Sequence, residues 1–302
     1  MDPLVFVLVA GAAVLHVTWN VLLKTAGDPL RAAAVGMGTA ALVICPLAVV
    51  IWLATGRPDV PSWTIGLSLV SGALEAVYFA FLAAAYRRGD LSLVYPLARG
   101  TAPLLAVAIG VVVLNERLGP IGFLGVAALL VGLMSLQQPW KYLRASGRTG
   151  GGAAAFALLT GITIAGYSAV DRVAVRGTTP WIYAGLIWAS GATLLWGYTW
   201  AYRRRRATAG PAAATRPDQA PAFSRQRAAG GGLITLAAYL LILGAFTVAP
   251  LTAVTPLRES AIVLASGWGA FRLREAGDRR EAYRRIGSAG LVLVGALLLA
   301  ID

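Results

Sequence analysis

Leu91-Ser92-Leu93-Val94-Tyr95-Pro96-Leu97-Ala98-Arg99 returns later in the chain as Leu251-Thr252-Ala253-Val254-Thr255-Pro256-Leu257-Arg258-Glu259, inside another long apolar run. Each copy leads, at similar spacing, to a short acidic turn, Leu114-Asn115-Glu116-Arg117 and Leu273-Arg274-Glu275. An Ile-Gly pair follows in each, Ile121-Gly122 and Ile286-Gly287, and then one last apolar run. Internal repeats of several spanning helices mark secondary transporters, whose substrate sites lie near the bilayer midplane between the repeats.

The composition places the chain in lipid. Of 302 residues, 58% are hydrophobic and only 13% charged, at a mean hydropathy of +0.72, which leaves too little polar surface to cover a soluble globule. A helix needs roughly 20 apolar residues to cross a hydrocarbon core about 30 Å thick. Ten runs of that kind are read near residues 4–24, 31–54, 64–86, 91–114, 119–137, 151–171, 180–201, 231–248, 251–271 and 284–301. They are continuously apolar, not alternating, so the spans are helical. Aromatic residues gather at the run ends, as in Trp52, Trp63, Trp140, Trp181, Trp200 and Tyr202, where amphipathic rings prefer the headgroup level. The first run lacks a basic start and contains His16 and Asn20, so it is expected to stay as a span and not to be cleaved as a signal peptide.

Charge distribution predicts an orientation. Only Arg57, Arg117, Arg172 and Arg176 follow even-numbered runs, and Arg99 and Arg258 sit inside runs, so the other 20 of 26 basic residues follow odd-numbered runs. The positive-inside rule then puts the odd connections in the cytoplasm and both termini outside. Orientation explains the net charge of +13 better than nucleic acid does, and no nucleic-acid partner is expected. Cys45 is the single cysteine, so neither a disulfide framework nor a zinc cluster is available. Glycines spaced for helix contact, Gly119, Gly122, Gly125 and Gly132, then Gly287, Gly290 and Gly295, read as packing surfaces. No GxxxxGK[ST] stretch occurs, so ATP hydrolysis has no seat, and no cofactor or metal is expected.

The ten spans fall into two five-span halves. Within the first, Pro96-Leu97-Ala98-Arg99-Gly100 precedes Thr101-Ala102-Pro103-Leu104, the turn Leu114-Asn115-Glu116-Arg117-Leu118-Gly119 follows, and His16-Val17-Thr18-Trp19-Asn20 and Lys24 lie on span one. Together these resemble the EamA family of the drug/metabolite transporter superfamily over nearly the whole chain. The resemblance implies an all-α polytopic membrane protein, ten transmembrane helices arranged as two inverted five-helix repeats around a central cavity. The repeats are expected at 1–145 and 146–302, with a disordered basic connector at 203–230. The implied activity is transport of small metabolites, often amino acids, sugars or nucleotide-linked compounds, and the implied location is the cytoplasmic membrane. Members of the family usually keep both termini in the cytoplasm, opposite to the charge distribution here.

A charge at the centre of a membrane helix costs about 2.5–3.5 kcal/mol on insertion scales, so each one calls for a reason. Glu75, Arg99, Asp171, Arg258 and Glu259 are such positions. Arg99 lies eight residues into its run, about 12 Å along a helix and close to the midplane. Ser92, Tyr95 and Arg99 form one stripe, and the aligned Thr252, Thr255 and Glu259 form its mate. The two stripes are expected to face each other. Arg99 would bind a carboxylate or phosphate with its planar fork, and Glu259 would receive an amine or a proton, unless the two simply pair and hold the halves together. Arg258 points about 100° away from Glu259, towards a more apolar flank, with Glu75 and Asp171 as partners in prospect.

On span one His16, Trp19, Asn20 and Lys24 share a face. His16 suits proton exchange near neutral pH or a hydrogen-bonded packing role, and Lys24 suits snorkelling to headgroups. Glu75, mid-span with Tyr78, Leu82 and Tyr86 on its face, is the candidate proton carrier or a partner for an arginine. Tyr167 and Asp171 lie four apart on span six, and Tyr239 corresponds to Tyr78. Both tyrosines can hydrogen-bond or stack on a ligand. Glu116 and Glu275 are expected to bond helix ends or loop arginines, not substrate. The expected partners are thus a small-molecule substrate, the bilayer and a coupling proton or ion. Two other classes remain: translocation of a lipid or lipid-linked substrate, and intramembrane catalysis, for which no GxSxG elbow, HExxH pair or duplicated aspartate motif is present.

Overall fold

Proline and aspartate set where the first helices begin. Asp2 accepts the backbone N–H of Leu4 at 2.8 Å ahead of α1, Pro3–Lys24. Asp28 does the same for Arg31 at 3.1 Å ahead of α2, Pro29–Ala54. In both, proline fills the first helical position, where its missing N–H costs nothing. The computed structural model describes residues 2–88, 91–138, 140, 151–208, 223–259 and 279–301. It continues with α3, Ser62–Arg88, α4, Leu91–Val112, and α5, Pro120–Gln137, which Gln138 stops by turning left-handed at a φ of 46°. Next come α6, Gly151–Ala174, with a 3-10 turn at Val175–Gly177, and α7, Pro180–Thr208. Ser224 caps α8, Arg225–Val248, and the order closes with α9, Leu251–Glu259, and α10, Arg279–Ile301. The described residues form helices and no strand.

The helices follow the apolar runs closely, with the larger differences at α6, α7, α8 and α10, the last starting at Arg279 ahead of the expected run at 284. Helix α6 runs on to Ala174, which moves Arg172 from a connection into the helix's last turn. Helix α7 continues to Thr208 and α8 starts at Arg225, so 203–208 and 225–230 of the expected connector are helical; alanine and arginine are good helix formers beyond the bilayer edge as within it. The remaining connector residues, 209–222, and residues 260–271 of the ninth run lie outside the described residues.

Among the described residues, five segments are by length and composition able to cross a membrane alone: Pro3–Leu23, Pro29–Ala54, Ser62–Arg88, Gly152–Gly177 and Arg225–Val248. Shorter apolar stretches occupy Leu97–Val112, Pro120–Ser135 and Gly287–Leu299. Wide apolar faces stay exposed, Leu42 at 79% and Val112 at 76% among them, as lipid-facing positions do.

Packing is by pairs. Helix α1 lies on α8, α3 on α6, α2 on α7 and α5 on α10; α4 packs on α6 and α9, α9 also on α1, α3 also on α7 and α2 also on α8. Helices α4 and α9 are antiparallel: Gly110 near the end of α4 meets Thr252 near the start of α9. The closest approaches need glycine. A Cβ on Gly232 would stand 2.1 Å from the carbonyl oxygen of Gly36 where α8 crosses α2. One on Gly295 would stand 2.6 Å from that of Gly125 where α10 crosses α5. In lipid no hydrophobic force separates helix from solvent, and close backbone contact supplies the attraction. Gly125, Gly132 and Gly295 thus pack as expected, whereas Gly287 and Gly290 face open space.

Candidate functional site

On α1, the face read from the sequence is internally bonded. The Trp19 indole N–H donates to Nδ1 of His16 at 3.2 Å, and the Asn20 amide donates to the His16 carbonyl at 2.7 Å. The Tyr86 hydroxyl of α3 reaches Oδ1 of Asn20 at 3.5 Å. Trp19 and Asn20 are each 4% exposed and His16 is half-buried, so the stripe faces inward. The Lys24 side chain lies outside the described residues.

Asp171 is where four helices meet. Its carboxylate, on α6, accepts from Ser71 Oγ of α3 at 2.5 Å, Tyr183 OH of α7 at 2.9 Å and Tyr239 OH of α8 at 2.5 Å. Hydrogen bonds to an ionised acceptor contribute about 1.5–3 kcal/mol each, more than neutral ones. One turn earlier, Tyr167 stands edge-on to Tyr78 at 5.9 Å and tilted to Tyr239 at 6.4 Å. Tyr78 and Tyr239, which the sequence aligns with each other, therefore flank the same ring. The series extends through Phe79, 4.9 Å from Tyr78, to Trp19 at 5.5 Å, and at the other end to Trp188, 6.0 Å from Tyr239. Six rings from α1, α3, α6, α7 and α8 form one connected wall.

The charged residues share this interior. Glu75 is 6% exposed, Arg99 4%, Asp171 1% and Arg258 4%. Glu75 lies in the fields of Asp171, Arg258 and Arg99, and His16 in those of both arginines. Arg258 is buried and lies within electrostatic reach of Glu75 and Asp171, the partners in prospect for it. On α9 the Oγ1 atoms of Thr252 and Thr255 are buried without a hydrogen-bond partner among the described residues, and so are Ser168 Oγ on α6 and Trp188 Nε1 on α7. The side chains of Tyr95 and Glu259 lie outside the described residues, as does Glu275, so the Arg99–Glu259 juxtaposition has no geometry here.

Helices alternate in direction, so the α4–α5 turn sits at the same end of the bundle as the close of α6 and α8 and the start of α9. There Glu116 accepts the backbone N–H groups of Leu251 and Thr252 at 2.8 and 2.9 Å, capping α9 from across the molecule. Arg172 Nε donates to the same carboxylate at 3.3 Å, and its Nη1 donates to the Phe246 carbonyl at the end of α8 at 2.6 Å. Glu116 bonds helix ends and an arginine, the role its position at a turn suggests. Ser71 and Tyr183 carried no sequence signal, their shared partner standing 100 and 12 residues away, whereas Arg172 was among the connection arginines open to Glu116.

At the opposite end a small cavity of about 20 Å³ lies between α1, α2, α3, α7 and α8. Trp19, Phe79 and Trp188 of the ring wall line it, and Arg227 stands at its rim. Among the described residues no His, Cys, Asp and Glu group is arranged to hold a metal.

Apolar helices long enough to span, closing around buried charges and hydroxyls, define a multi-pass membrane protein with a polar interior. Residues 4–136 match the model of the EamA-like transporter family. That family is one of membrane transporters in the drug/metabolite transporter superfamily. A solved structure described only as "Crystal structure of protein" has the same fold, with a TM-score of 0.65 over 98% of this chain and 98% of its own at 17% identity. No curated protein matches the chain in sequence.

Proposed function

We propose that the protein is a secondary transporter of a small polar metabolite, an amino acid, an organic anion or a phosphorylated compound, in the cytoplasmic membrane. The observation that carries this is the shared burial of Glu75, Arg99, Asp171 and Arg258, drawn from α3, α4, α6 and α9, inside an aromatic wall. Ionisable groups held within a membrane bundle mark a substrate or ion pathway by default. Arg99 and Arg258 supply cationic donors for a carboxylate or phosphate. Thr252, Thr255 and Ser168 supply hydroxyls, and Glu75, with His16, supplies the group for a coupling proton. Trp19, Asn20, Tyr78, Tyr167 and Tyr239 form the wall.

Movement is by alternating access between repeats at 1–145 and 146–302. The packing supports this reading. Advancing each helix number by five turns the α1–α8 pair into α6–α3, α4–α6 into α9–α1 and α3–α7 into α8–α2, and maps α2–α7, α4–α9 and α5–α10 onto themselves. Antiparallel α4 and α9 fit an axis in the membrane plane.

The test is thermal stability in detergent against a panel of amino acids, organic acids, sugar phosphates and nucleotide-linked metabolites, for wild type and Arg99→Gln. A ligand that stabilises wild type and not the variant names the cargo class and places Arg99 at the site. Equal stabilisation of both assigns Arg99 to structure. No stabilisation by any compound turns the reading towards a lipid or lipid-linked cargo.

A further inference from the structure

The Glu116 carboxylate is built into its position with unusual care for a connection between spans. Its turn uses Asn115 in the left-handed conformation, at a φ of 50°, and its own N–H bonds the Gly110 carbonyl at 2.9 Å. Gly110 leaves the room: a Cβ there would stand 2.7 Å from Glu116 Oε2 and 2.5 Å from Thr252 Cγ2. The carboxylate reaches out of the first half and takes three donors from the second: the N–H groups of Leu251 and Thr252 and the guanidinium of Arg172. Arg172 extends the tie to Phe246 at the end of α8. Both charged side chains are only 9% exposed. Every one of these bonds lies at one end of the bundle, whereas the cavity beside Trp19 and Trp188 reaches the other end, near Arg227.

We propose that Glu116 and Arg172 form a latch that holds this end of the transport pathway shut, so that the protein opens towards it only when the carboxylate releases the start of α9. The proposal rests on the transport reading for its purpose, but its geometry does not depend on the cargo. A latch between halves and a static staple within a fold differ in one respect: breaking the latch changes which side of the membrane reaches the interior, and breaking the staple loosens the protein without regard to side.

Ser168 offers the reporter. It is wholly buried, four residues before Arg172 and so one turn beneath it on the same face of α6. Cys45 is the only cysteine. The measurement is the labelling rate of Ser168→Cys in a Cys45→Ser background by a membrane-impermeant sulfonated methanethiosulfonate. It is made from each side separately, in sealed vesicles of both orientations, with Glu116→Gln, Arg172→Gln and Arg172→Lys added in turn. Detergent gel filtration and melting confirm the folded state of each variant.

The latch predicts that Glu116→Gln and Arg172→Gln each raise labelling from the Glu116 side about tenfold, equivalent to about 1.4 kcal/mol. Labelling from the Arg227 side should be unchanged or reduced, and Arg172→Lys, which keeps a cation, should stay nearer the parent rate. Folded variants with unchanged rates overturn the proposal, and so does equal acceleration from both sides. Neither result bears on whether the chain transports, which the ligand panel decides, so the two readings fail separately.

Discussion

Asp171 is the residue on which the most helices depend. Its three hydroxyl donors come from α3, α7 and α8, so Asp171→Ala leaves Ser71, Tyr183 and Tyr239 without their acceptor in a buried place. An unsatisfied buried hydroxyl costs about 1–3 kcal/mol. Asp171→Ala should therefore lower unfolding stability by roughly 3 kcal/mol or more, and Asp171→Asn, which keeps one carbonyl acceptor, by clearly less. Melting of both variants in one detergent checks this, and an unchanged midpoint for the alanine variant would show that the three contacts tie nothing together. The aspartate itself was legible in the sequence as a charge in a span. Ser71 and Tyr183 were not, because a serine or tyrosine in an apolar run looks the same whether it bonds its own backbone or a carboxylate on another helix.

At the scale of helices, glycine separates contact from composition. Gly232 stands against the backbone of Gly36, while Gly290 has nothing within 4 Å of where a Cβ would point. Overpacking a close contact costs about 1–3 kcal/mol, so Gly232→Val should lower the melting temperature measurably. Gly290→Val should move it little, within about 0.5 kcal/mol, as at an exposed site. If Gly290→Val is the more harmful of the two, the α2–α8 crossing is not the tight one. Spacing in the sequence put Gly295 on equal footing with Gly287 and Gly290. Only the arrangement of α5 on α10 shows that Gly295 meets Gly125 and that Gly287 and Gly290 turn outward. Helix limits show the same division. Apolar runs predicted the helices well, but α7 runs through its arginines to Thr208, because hydrogen bonding along a helix continues beyond an apolar run when the residues favour it.

For the whole molecule, the placement of basic and aromatic residues argues an orientation. Basic residues crowd the end that bears the close of α3 and α7 and the start of α6, and they stack there on aromatic rings: Arg87 over Tyr202 at 5.2 Å, Arg88 over Phe156 at 4.5 Å and Arg204 over Trp200 at 4.6 Å. A cationic and aromatic belt of this kind suits the cytoplasmic leaflet. Both termini and the Glu116 latch should then lie on the outer side. Fusing a phosphatase active only outside the cytoplasm to the C-terminus should give active enzyme, and a cytoplasm-dependent fluorescent protein at the same position should stay dark. The reverse pair of results would place the latch at the cytoplasmic end.

By itself, the sequence determined that this chain is a set of apolar helices suited to lipid, where most of them begin and end, and which charges fall inside apolar runs. Those properties follow from local rules: apolar length, proline and aspartate at helix starts, and the cost of burying charge. Only the tertiary structure decided that Asp171 draws in three helices and that Glu116 caps a helix from the other half of the chain. Those contacts join residues far apart in sequence, through single hydrogen bonds that leave no periodicity behind, and they exist only once the helices have chosen their neighbours.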